Sequence, residues 1–440
     1  MRWTTYAERR NKQIMKNRIV ILTGSGAAIP WNGPTTKQIT KKIISDRTFK
    51  TIEGRPVGEY IYNILEKTYG IADSIDSDDN FDSPNYENII DIVEYLADYF
   101  YSSKEYPIRP RGSILTQLFD VTVDIQNQIL DFDKIYEKKK DKRLGYYFVA
   151  KHAGETIKFR DEGAFLEAIL NRFFEIITGE LSYSRWWEID NKRYEKINSL
   201  LKEFIEFYTS KNDIVRYYTV NHDRLAEFAT RLPFFNGLVA GGFNLKKVIE
   251  DDEVLCHYNL HGSVFFRRDN RGWHCADMKQ EQPISFYNSY KNQRGETIFE
   301  SNITTGLNKI SGIMEAPWYH FYHRFYSDCW NADVIYSIGY SFSDIHINKA
   351  IENFIGSGNG RFIVIDKIGK VRDKYERQWK ISRATRNLSE LIKFPHGNIA
   401  DIQFREPDGN GWIADDDLRL KFYCNGFKKF LSKRQWTTSL

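Results

Sequence analysis

The chain has 440 residues, 41% of them hydrophobic and 15% aromatic, which is enough for one large domain with an insertion or for two domains. Its 63 basic and 59 acidic side chains nearly balance, so no surface for direct nucleic-acid binding is indicated. No uncharged run approaches the about 18 residues of a membrane span, and the charged start MRWTTYAERRNKQ has no apolar signal core, so we expect a cytoplasmic protein.

Six short segments are predicted to be buried strands, because each is rich in β-branched or aromatic residues and is bounded by Gly, Asn or Asp. They are Arg18–Thr23, Asp213–Thr219, Val254–Leu260, Asp333–Ile338, Arg361–Asp366 and Asp401–Phe404. Segments with helical spacing lie between them, as in Asp223–Arg231 and Asp344–Ile355. Strands that alternate with helices predict an α/β fold with a Rossmann-like, doubly wound parallel sheet.

The long interval between the first two strands is predicted to be mostly helical. Helical spacing occurs in Tyr86–Tyr101, Ile114–Phe132, Phe165–Thr178 and Arg193–Tyr208. Glu66–Pro84 is predicted to be a loop, and the basic run Lys138–Arg143 is predicted to be a solvated helix end or loop. We therefore expect one domain over residues 15–405, with a helical insertion at 60–210 and a C-terminal helical tail at 406–440.

The first predicted strand ends in a glycine-rich turn, Thr23-Gly24-Ser25-Gly26-Ala27. Such a turn lets the backbone approach a pyrophosphate, and the helix start that follows offers N–H groups and a positive dipole end. The turn lacks the Lys of a Walker A loop, and Ile29 stands where the dinucleotide fingerprint has its third glycine. The motif alone is weak, and its structural alternative is a tight turn between strand and helix.

Polar or glycine-rich turns also end the next four predicted strands. They are Thr219-Val220-Asn221-His222-Asp223, His261-Gly262, Gly339-Tyr340-Ser341-Phe342-Ser343-Asp344 and Asp366. Each has a structural alternative, such as a helix cap at Asp223 or Asp344, a hydrogen-bonding histidine or a turn aspartate. Because ligands of doubly wound sheets bind outside the carboxyl ends of the strands, five such turns together predict a ligand site.

This ordered set of turns resembles the sirtuin-like family over about residues 15–405. The sequence SPNYENIIDIVEYL is similar to the acidic-aromatic helix of bacterial sirtuin-like NADases that act in anti-phage defence. Protein-deacylating sirtuins carry two Cys-x-x-Cys pairs after their His-Gly element and a Gln where Val220 stands, and this chain has neither feature. The resemblance therefore covers the elements that hold NAD and not those that hold an acyl-lysine peptide.

The resemblance implies NAD as substrate and cleavage of its nicotinamide–ribose bond with water as acceptor. Asn221 would orient the ribose or the water, and His261 would act as general base. Asp223 is expected to hold the nicotinamide carboxamide, and Trp31 either closes over the nicotinamide ribose or is a surface aromatic. The residues expected to bind NAD are Thr23, Gly24, Ser25, Gly26, Ala27, Asp223, Gly339, Ser341, Asp344 and Asp366.

Two other functions remain open, namely an NAD-dependent protein deacylase and a non-catalytic module that binds NAD or ADP-ribose. No metal is expected, because Cys256, His257, His274 and Cys275 do not follow a recognised zinc spacing. The resemblance further implies a triggered enzyme, so we expect a homo-oligomer or a partner such as a HerA-type ATPase. Aromatic residues of the insertion would make the contacts, unless the insertion helices bury one another.

Overall fold

The computed structural model describes part of the chain. It covers residues 16–438 apart from 52, 70–83, 103–136, 142–144, 153–154, 160–161, 182–191, 240–241, 251–253, 271, 277–286, 292–296, 306–308, 359, 368–407 and 416–418. The predicted helix Ile114–Phe132, the predicted strand Asp401–Phe404 and most of the predicted loop Glu66–Pro84 lie outside the described residues.

The elements follow in chain order. The strands are β1 (Arg18–Thr23), β2 (Glu137–Asp141), β3 (Gly145–His152), β4 (Glu155–Phe159), β5 (Ile214–Thr219), β6 (Leu238–Val239), β7 (Gly242–Phe243), β8 (Leu255–Asn259), β9 (Phe266–Asp269), β10 (Gly272–Cys275), β11 (Tyr287–Lys291), β12 (Thr297–Ser301), β13 (Val334–Ile338), β14 (Arg361–Ile365), β15 (Trp412–Asp415) and β16 (Leu420–Tyr423). The helices are α1 (Ser25–Ala28), α2 (Thr36–Ser45), α3 (Val57–Tyr69), α4 (Tyr86–Ser102), α5 (Glu162–Glu180), α6 (Lys192–Thr209), α7 (Leu225–Thr230), α8 (Leu245–Glu250), α9 (Lys309–Ile313), α10 (Trp318–Trp330), α11 (Ile345–Ser357) and α12 (Phe427–Ser432).

The central sheet has seven strands in the order β15-β16-β14-β13-β1-β5-β8. All neighbouring pairs are parallel except β15 and β16. The chain moves outward from β1 through β5 to β8, then returns to the other side of β1 and continues through β13 and β14. This reversal is the switch point of a doubly wound sheet, so the predicted Rossmann-like α/β fold is confirmed.

Both faces of the sheet are buried, which explains why its strands are continuous apolar runs. In β1, Ile19 and Ile21 join a core that contains residues of α5 and α6, whereas Val20 and Leu22 join a core that contains residues of α10 and α11. The sheet thus lies between two helical layers. None of the described helices is both long and apolar enough to span a membrane.

The described part of the insertion is helical with one exception. The helices α4, α5 and α6 lie where helical spacing predicts them, but β2, β3 and β4 form a small antiparallel sheet. The prediction of a helix end or loop at Lys138–Arg143 is therefore wrong for Lys138–Asp141, which belong to β2. The sequence EKKKD has no strand pattern of its own, and its pairing with the aromatic β3 supplies the conformation.

The aromatic residues of the insertion that the structure describes pack within the chain. Tyr62, Tyr86, Phe173 and Phe174 are each 5% exposed or less and belong to the core on the face of α5 and α6. This packing matches the alternative in which the insertion helices bury one another. The expected homo-oligomer stays a prediction that this packing does not support.

The segment after residue 406 differs from the predicted helical tail. It contributes β15 and β16 to the central sheet, and β16 pairs in parallel with β14. Only then does the short helix α12 follow, where Phe430 lies 5.8 Å from Phe204 of α6 in an edge-to-face contact. The sheet therefore extends past the predicted boundary at residue 405, because the apolar residues of β16 complete a core that β14 would otherwise leave open.

Candidate functional site

Two glycine turns meet at the switch point, between the carboxyl ends of β1 and β13. The amide of Gly24 donates to the carbonyl of Ile338 over 3.0 Å, and the amide of Gly26 donates to the carbonyl of Gly339, also over 3.0 Å. Gly339 has a φ of +57°, a conformation that glycine adopts at no steric cost. The backbones approach so closely that a Cβ on Gly339 would lie 2.4 Å from the Ala27 nitrogen.

A cleft of about 670 Å³, open to solvent, lies directly outside this meeting point. Its lining residues come from the turns after the sheet strands, from the loop before α2 and its first residues, and from the insertion. They are Gly24, Ser25, Ala28, Pro34, Thr36, Ile39, Tyr86, Glu87, Leu181, Val220, Asn221, His222, Asp223, His261, Tyr340, Ser341, Ser343 and Asp344. The cleft has the position expected for a nucleotide site of a doubly wound sheet.

The structure brings seven of the twelve predicted site residues into the cleft and leaves five outside its lining. The seven are Gly24, Ser25, Asn221, Asp223, His261, Ser341 and Asp344, and the five are Thr23, Gly26, Ala27, Gly339 and Asp366. The Thr23 hydroxyl donates to the Tyr218 carbonyl, and the Asp366 carboxylate accepts from the Lys367 amide. Gly26, Ala27 and Gly339 instead build the contact between the two turns.

The glycine turn offers fewer amides to a phosphate than its sequence suggests. The Gly24 and Gly26 amides bind carbonyls of the β13 turn, and the Ala27 amide donates to the Gly24 carbonyl over 3.0 Å. Within Thr23–Ala27, only Gly24 and Ser25 reach the cleft. The close approach of the two turns accounts for the glycines, and the ligand-facing part of the loop is short.

Asn221 ties the turn after β5 to the glycine turn. Its side-chain amide donates to the Gly24 carbonyl over 3.0 Å, and its backbone amide donates to the Thr219 hydroxyl over 3.0 Å. Asp223 is 4% exposed, and its carboxylate accepts from the Leu225 amide at the start of α7 over 2.9 Å. Asp223 therefore both binds the first amide of α7 and lines the cleft, and burial raises the pKa of its carboxyl group.

His261 lies at the floor of the cleft and is 3% exposed. Its Nε2 has no hydrogen-bond partner among the described residues, and its ring stacks on Tyr322 with centroids 6.5 Å apart. Burial, together with the positive charge of Lys309, holds the pKa of His261 well below its usual value, although Asp344 opposes this effect. The imidazole is therefore neutral near pH 7, and Nε2 faces a site that can receive a ligand.

Beside His261 lies an ion cluster that the sequence did not predict. Oδ1 of Asp344 is 3.8 Å from His261 Nε2 and is also bonded by the ammonium group of Lys309 at the start of α9. The same ammonium lies 3.5 Å from Oε2 of Glu87 on the insertion helix α4. Burial acts to raise the pKa of Asp344, but the positive charge that His261 gains in acid and the Lys309 ammonium outweigh it and lower that pKa.

Asn259 supports the turn that carries Asn221, and sequence reasoning missed it. Its side-chain amide donates to the carbonyls of Asn221 and Asp223 over 3.2 and 2.6 Å. It is 1% exposed and is the last residue of β8. An amide side chain at the end of a predicted buried strand is the signal that would have found it, because a buried polar group must find partners.

The residues considered for zinc have other partners. Nδ1 of His257 lies 2.7 Å from Oε1 of Glu227, which is also paired with Arg224, so His257 belongs to a buried ion cluster behind the cleft. In the part of the chain that the structure describes, no three or more His, Cys, Asp or Glu side chains are grouped as a metal site requires. The expectation that no metal binds stays a prediction.

Trp31 is neither a lid over the cleft nor a surface aromatic. It is fully buried, its Nε1 donates to Oδ1 of Asn198 over 2.7 Å, and its ring packs against Phe427. It therefore joins the glycine-turn segment to α6 and α12. The sequence did not predict this, because the 3₁₀ turn Ile29–Trp31 rotates the side chain into the core.

Replacing Trp31 with phenylalanine is expected to lower stability by about 1–2 kcal/mol, because it removes the bond to Asn198 and some buried volume. The KM for a cleft ligand should change less than twofold. Chemical denaturation alongside steady-state kinetics checks both values. A large KM change in a stable variant would place Trp31 at the ligand instead.

Comparisons with known proteins give similarity to solved structures only, because no family model and no curated protein matches the chain. A crystal structure of a Sir2 homologue–NAD complex has 11% identity and a TM-score of 0.31, covering 79% of this chain and 77% of that chain. A sirtuin structure that concerns the structural basis of substrate affinity has 12% identity and a TM-score of 0.29, covering 89% of this chain and 99% of that chain. A mutant Sir2 homologue–ADP-ribose complex has 13% identity and a TM-score of 0.26, covering 55% and 78%. TM-scores of this size do not define a shared fold, so the fold assignment rests on the strand order and register of the sheet itself.

Proposed function

We propose that this chain is an NAD hydrolase that cleaves the nicotinamide–ribose bond to give nicotinamide and ADP-ribose. One observation carries the proposal: a buried histidine with an unpartnered Nε2 lines the switch-point cleft beside Asn221 and the Gly24–Ser25 turn. A nucleotide site needs the short turn, and a hydrolytic site needs a neutral base and an orienting amide. The order of these motifs in the sequence supports NAD as the nucleotide.

The proposed reaction breaks the bond between C1′ of the ribose and the ring nitrogen of nicotinamide. The electron pair of that bond passes to the nitrogen, and nicotinamide leaves as a neutral ring. A water oxygen bonds to C1′ through a transition state that resembles an oxocarbenium ion, and its proton passes to Nε2 of His261. Asn221, held by the Gly24 carbonyl, orients the ribose or the water.

The electrostatics of the cleft suit this chemistry. The depressed pKa of His261 keeps the imidazole neutral, so it accepts a proton without first losing one. The Glu87 carboxylate lies in the cleft wall and places negative charge near the cationic nicotinamide ring of NAD. The cleft is partly enclosed by α4 and by Leu181 after α5, which limits the water that reaches the base.

The biological role belongs to the same proposal. An unregulated NAD hydrolase would deplete the cell that makes it, so the activity must be triggered. The resemblance in sequence supports a role in anti-phage defence, with a homo-oligomer or a HerA-type ATPase as the partner that releases the activity. The other residues proposed to bind NAD do so directly, as Ser341 and Asp223 in the cleft wall, or by shaping the turns.

Incubation of the purified chain with NAD, alone and with candidate partners, is expected to yield nicotinamide and ADP-ribose in equal amounts. Chromatography with mass detection measures both products. Nicotinamide release that requires an acylated peptide would identify a protein deacylase instead. Binding of NAD with full recovery of intact NAD under every activating condition would identify a non-catalytic module.

A further inference from the structure

The Asp344 carboxylate lies close to His261 but does not bond to it. Oδ1 of Asp344 lies 3.8 Å from His261 Nε2, which is beyond hydrogen-bond distance, and the same oxygen is bonded by the Lys309 ammonium. Lys309 and His261 thus compete for one carboxylate oxygen, and Lys309 holds it. The His261 Nε2 atom is left without a partner among the described residues.

Lys309 is itself held from two sides. Its side chain is 15% exposed, and its ammonium lies between Asp344 of the turn before α11 and Glu87 of α4. The two carboxylates outweigh the effect of burial and raise the pKa of Lys309, so the ammonium is charged near neutral pH. The two ion pairs of Lys309 therefore join α4 of the insertion to the turn before α11, at the edge of the sheet where the cleft lies.

We propose that Lys309 is a positioning residue that occupies the Asp344 carboxylate and so keeps Nε2 of His261 available as a proton acceptor. This inference rests on the proposed role of His261 in the hydrolysis. If Asp344 were free, it would accept a hydrogen bond from a protonated Nε2, and that nitrogen would then face the carboxylate as a donor. A nitrogen that donates to Asp344 cannot accept a proton from water or from a ribose hydroxyl.

Other charged and titratable groups also face this cluster. His222, on the turn after β5, donates from Nδ1 to the His261 carbonyl over 3.1 Å, and burial lowers its pKa to about 4. His346 of α11 interacts with both His261 and Asp344, and Tyr322 of α10 stacks on the His261 ring. None of these groups lies between Lys309 and the carboxylate, so the competition for Oδ1 concerns Lys309 and His261.

The test is a titration of His261 by NMR on the full chain with histidine-selective isotope labelling. The chain has nine histidines, and the signal that disappears in His261→Gln identifies the residue. In Lys309→Met, we expect the titration midpoint of His261 to rise by about one pH unit or more, because the carboxylate becomes available to the ring. Lys309→Arg should keep the original midpoint, since it retains the cation.

A double-variant cycle separates competition from simple charge effects. Asp344→Asn should lower the midpoint by at least about one pH unit more in the Lys309→Met background than in the otherwise unchanged chain. Equal lowering in both backgrounds would overturn the proposal, since it would show two independent charges. A Lys309→Met midpoint equal to that of the unchanged chain would overturn it as well.

Lys349→Met is the matched control, because Lys349 is 57% exposed and pairs with Glu352 on the surface of α11. It should leave the His261 midpoint in place. The acid limb of kcat/KM for NAD should move to higher pH with Lys309→Met and stay in place with Lys349→Met. Since the NMR titration does not depend on turnover, absence of NAD cleavage would refute the proposed function while the titration still decides the role of Lys309.

Discussion

Replacing His261 with alanine is expected to reduce kcat/KM for NAD hydrolysis by about 10²–10⁴-fold, the usual cost of losing a general base. The fold should persist, because Nε2 bonds to no other described residue and the imidazole contributes mainly its stacking on Tyr322. Asn221→Ala should lower the rate as well, since it frees the turn after β5 from the Gly24 carbonyl. Product formation per unit time, measured with folded protein, checks both values.

His323→Ala serves as the control for this pair, because His323 is exposed on α10 and lies outside the cleft lining. The NAD hydrolysis rate of His323→Ala should equal that of the unchanged chain. The pH dependence adds a second check. The pKa of His261 lies below its usual value, so activity should stay at its plateau as the pH falls through 6.5 and should decline only in more acidic solution. A His261→Ala chain with near-normal turnover would contradict the assigned role.

Replacing Gly339 with alanine is expected to lower stability by about 2–4 kcal/mol and to abolish NAD binding. The new Cβ would lie 2.4 Å from the Ala27 nitrogen and the Gly26 carbonyl carbon, and φ at this residue is +57°. Backbone atoms cannot yield as side-chain ends do, so the two turns must separate. Urea denaturation and calorimetric titration with NAD measure the two effects.

Gly356→Ala is the matched control, because Gly356 lies in α11 and a Cβ there meets no atom within 4 Å. Alanine at that helical position should be neutral or should stabilise by up to about 1 kcal/mol. If Gly339→Ala were as stable as Gly356→Ala and bound NAD normally, the glycine turns would not be in the contact described for β1 and β13.

The sequence predicted the sheet well because buried parallel strands are continuous apolar runs with sharp ends. The β1 bounds match the prediction, and β5, β8 and β13 start one residue later than predicted. The polar turns were then placed together by topology alone, since the ends of parallel strands share one edge. Asn221 and His261 line one cleft, although two helices and three strands lie between them in the chain.

The features that the sequence did not predict depend on side-chain direction and on contacts between elements that are distant in the chain. The apolar pattern could not show that Trp31 turns inward, because a single 3₁₀ turn decides it. Lys309 carries no local motif, and no site role was predicted for Glu87 in the SPNYENIIDIVEYL helix. Only the folded chain brings α9 and α4 to Asp344. The strand β2 was missed because its charged sequence has no strand preference of its own. Its pairing with β3 supplies the extended conformation.

The order of strands in the sheet has a consequence for synthesis of the protein. β1 leaves the ribosome before its partners, which are residues 214–219 on one side and 334–338 on the other. A nascent chain therefore carries an unpaired apolar strand until about 200 further residues have been made, which favours chaperone binding to it. The cleft cannot assemble before Asp344 has emerged, because Asp344 lines it together with Gly24 and Asn221.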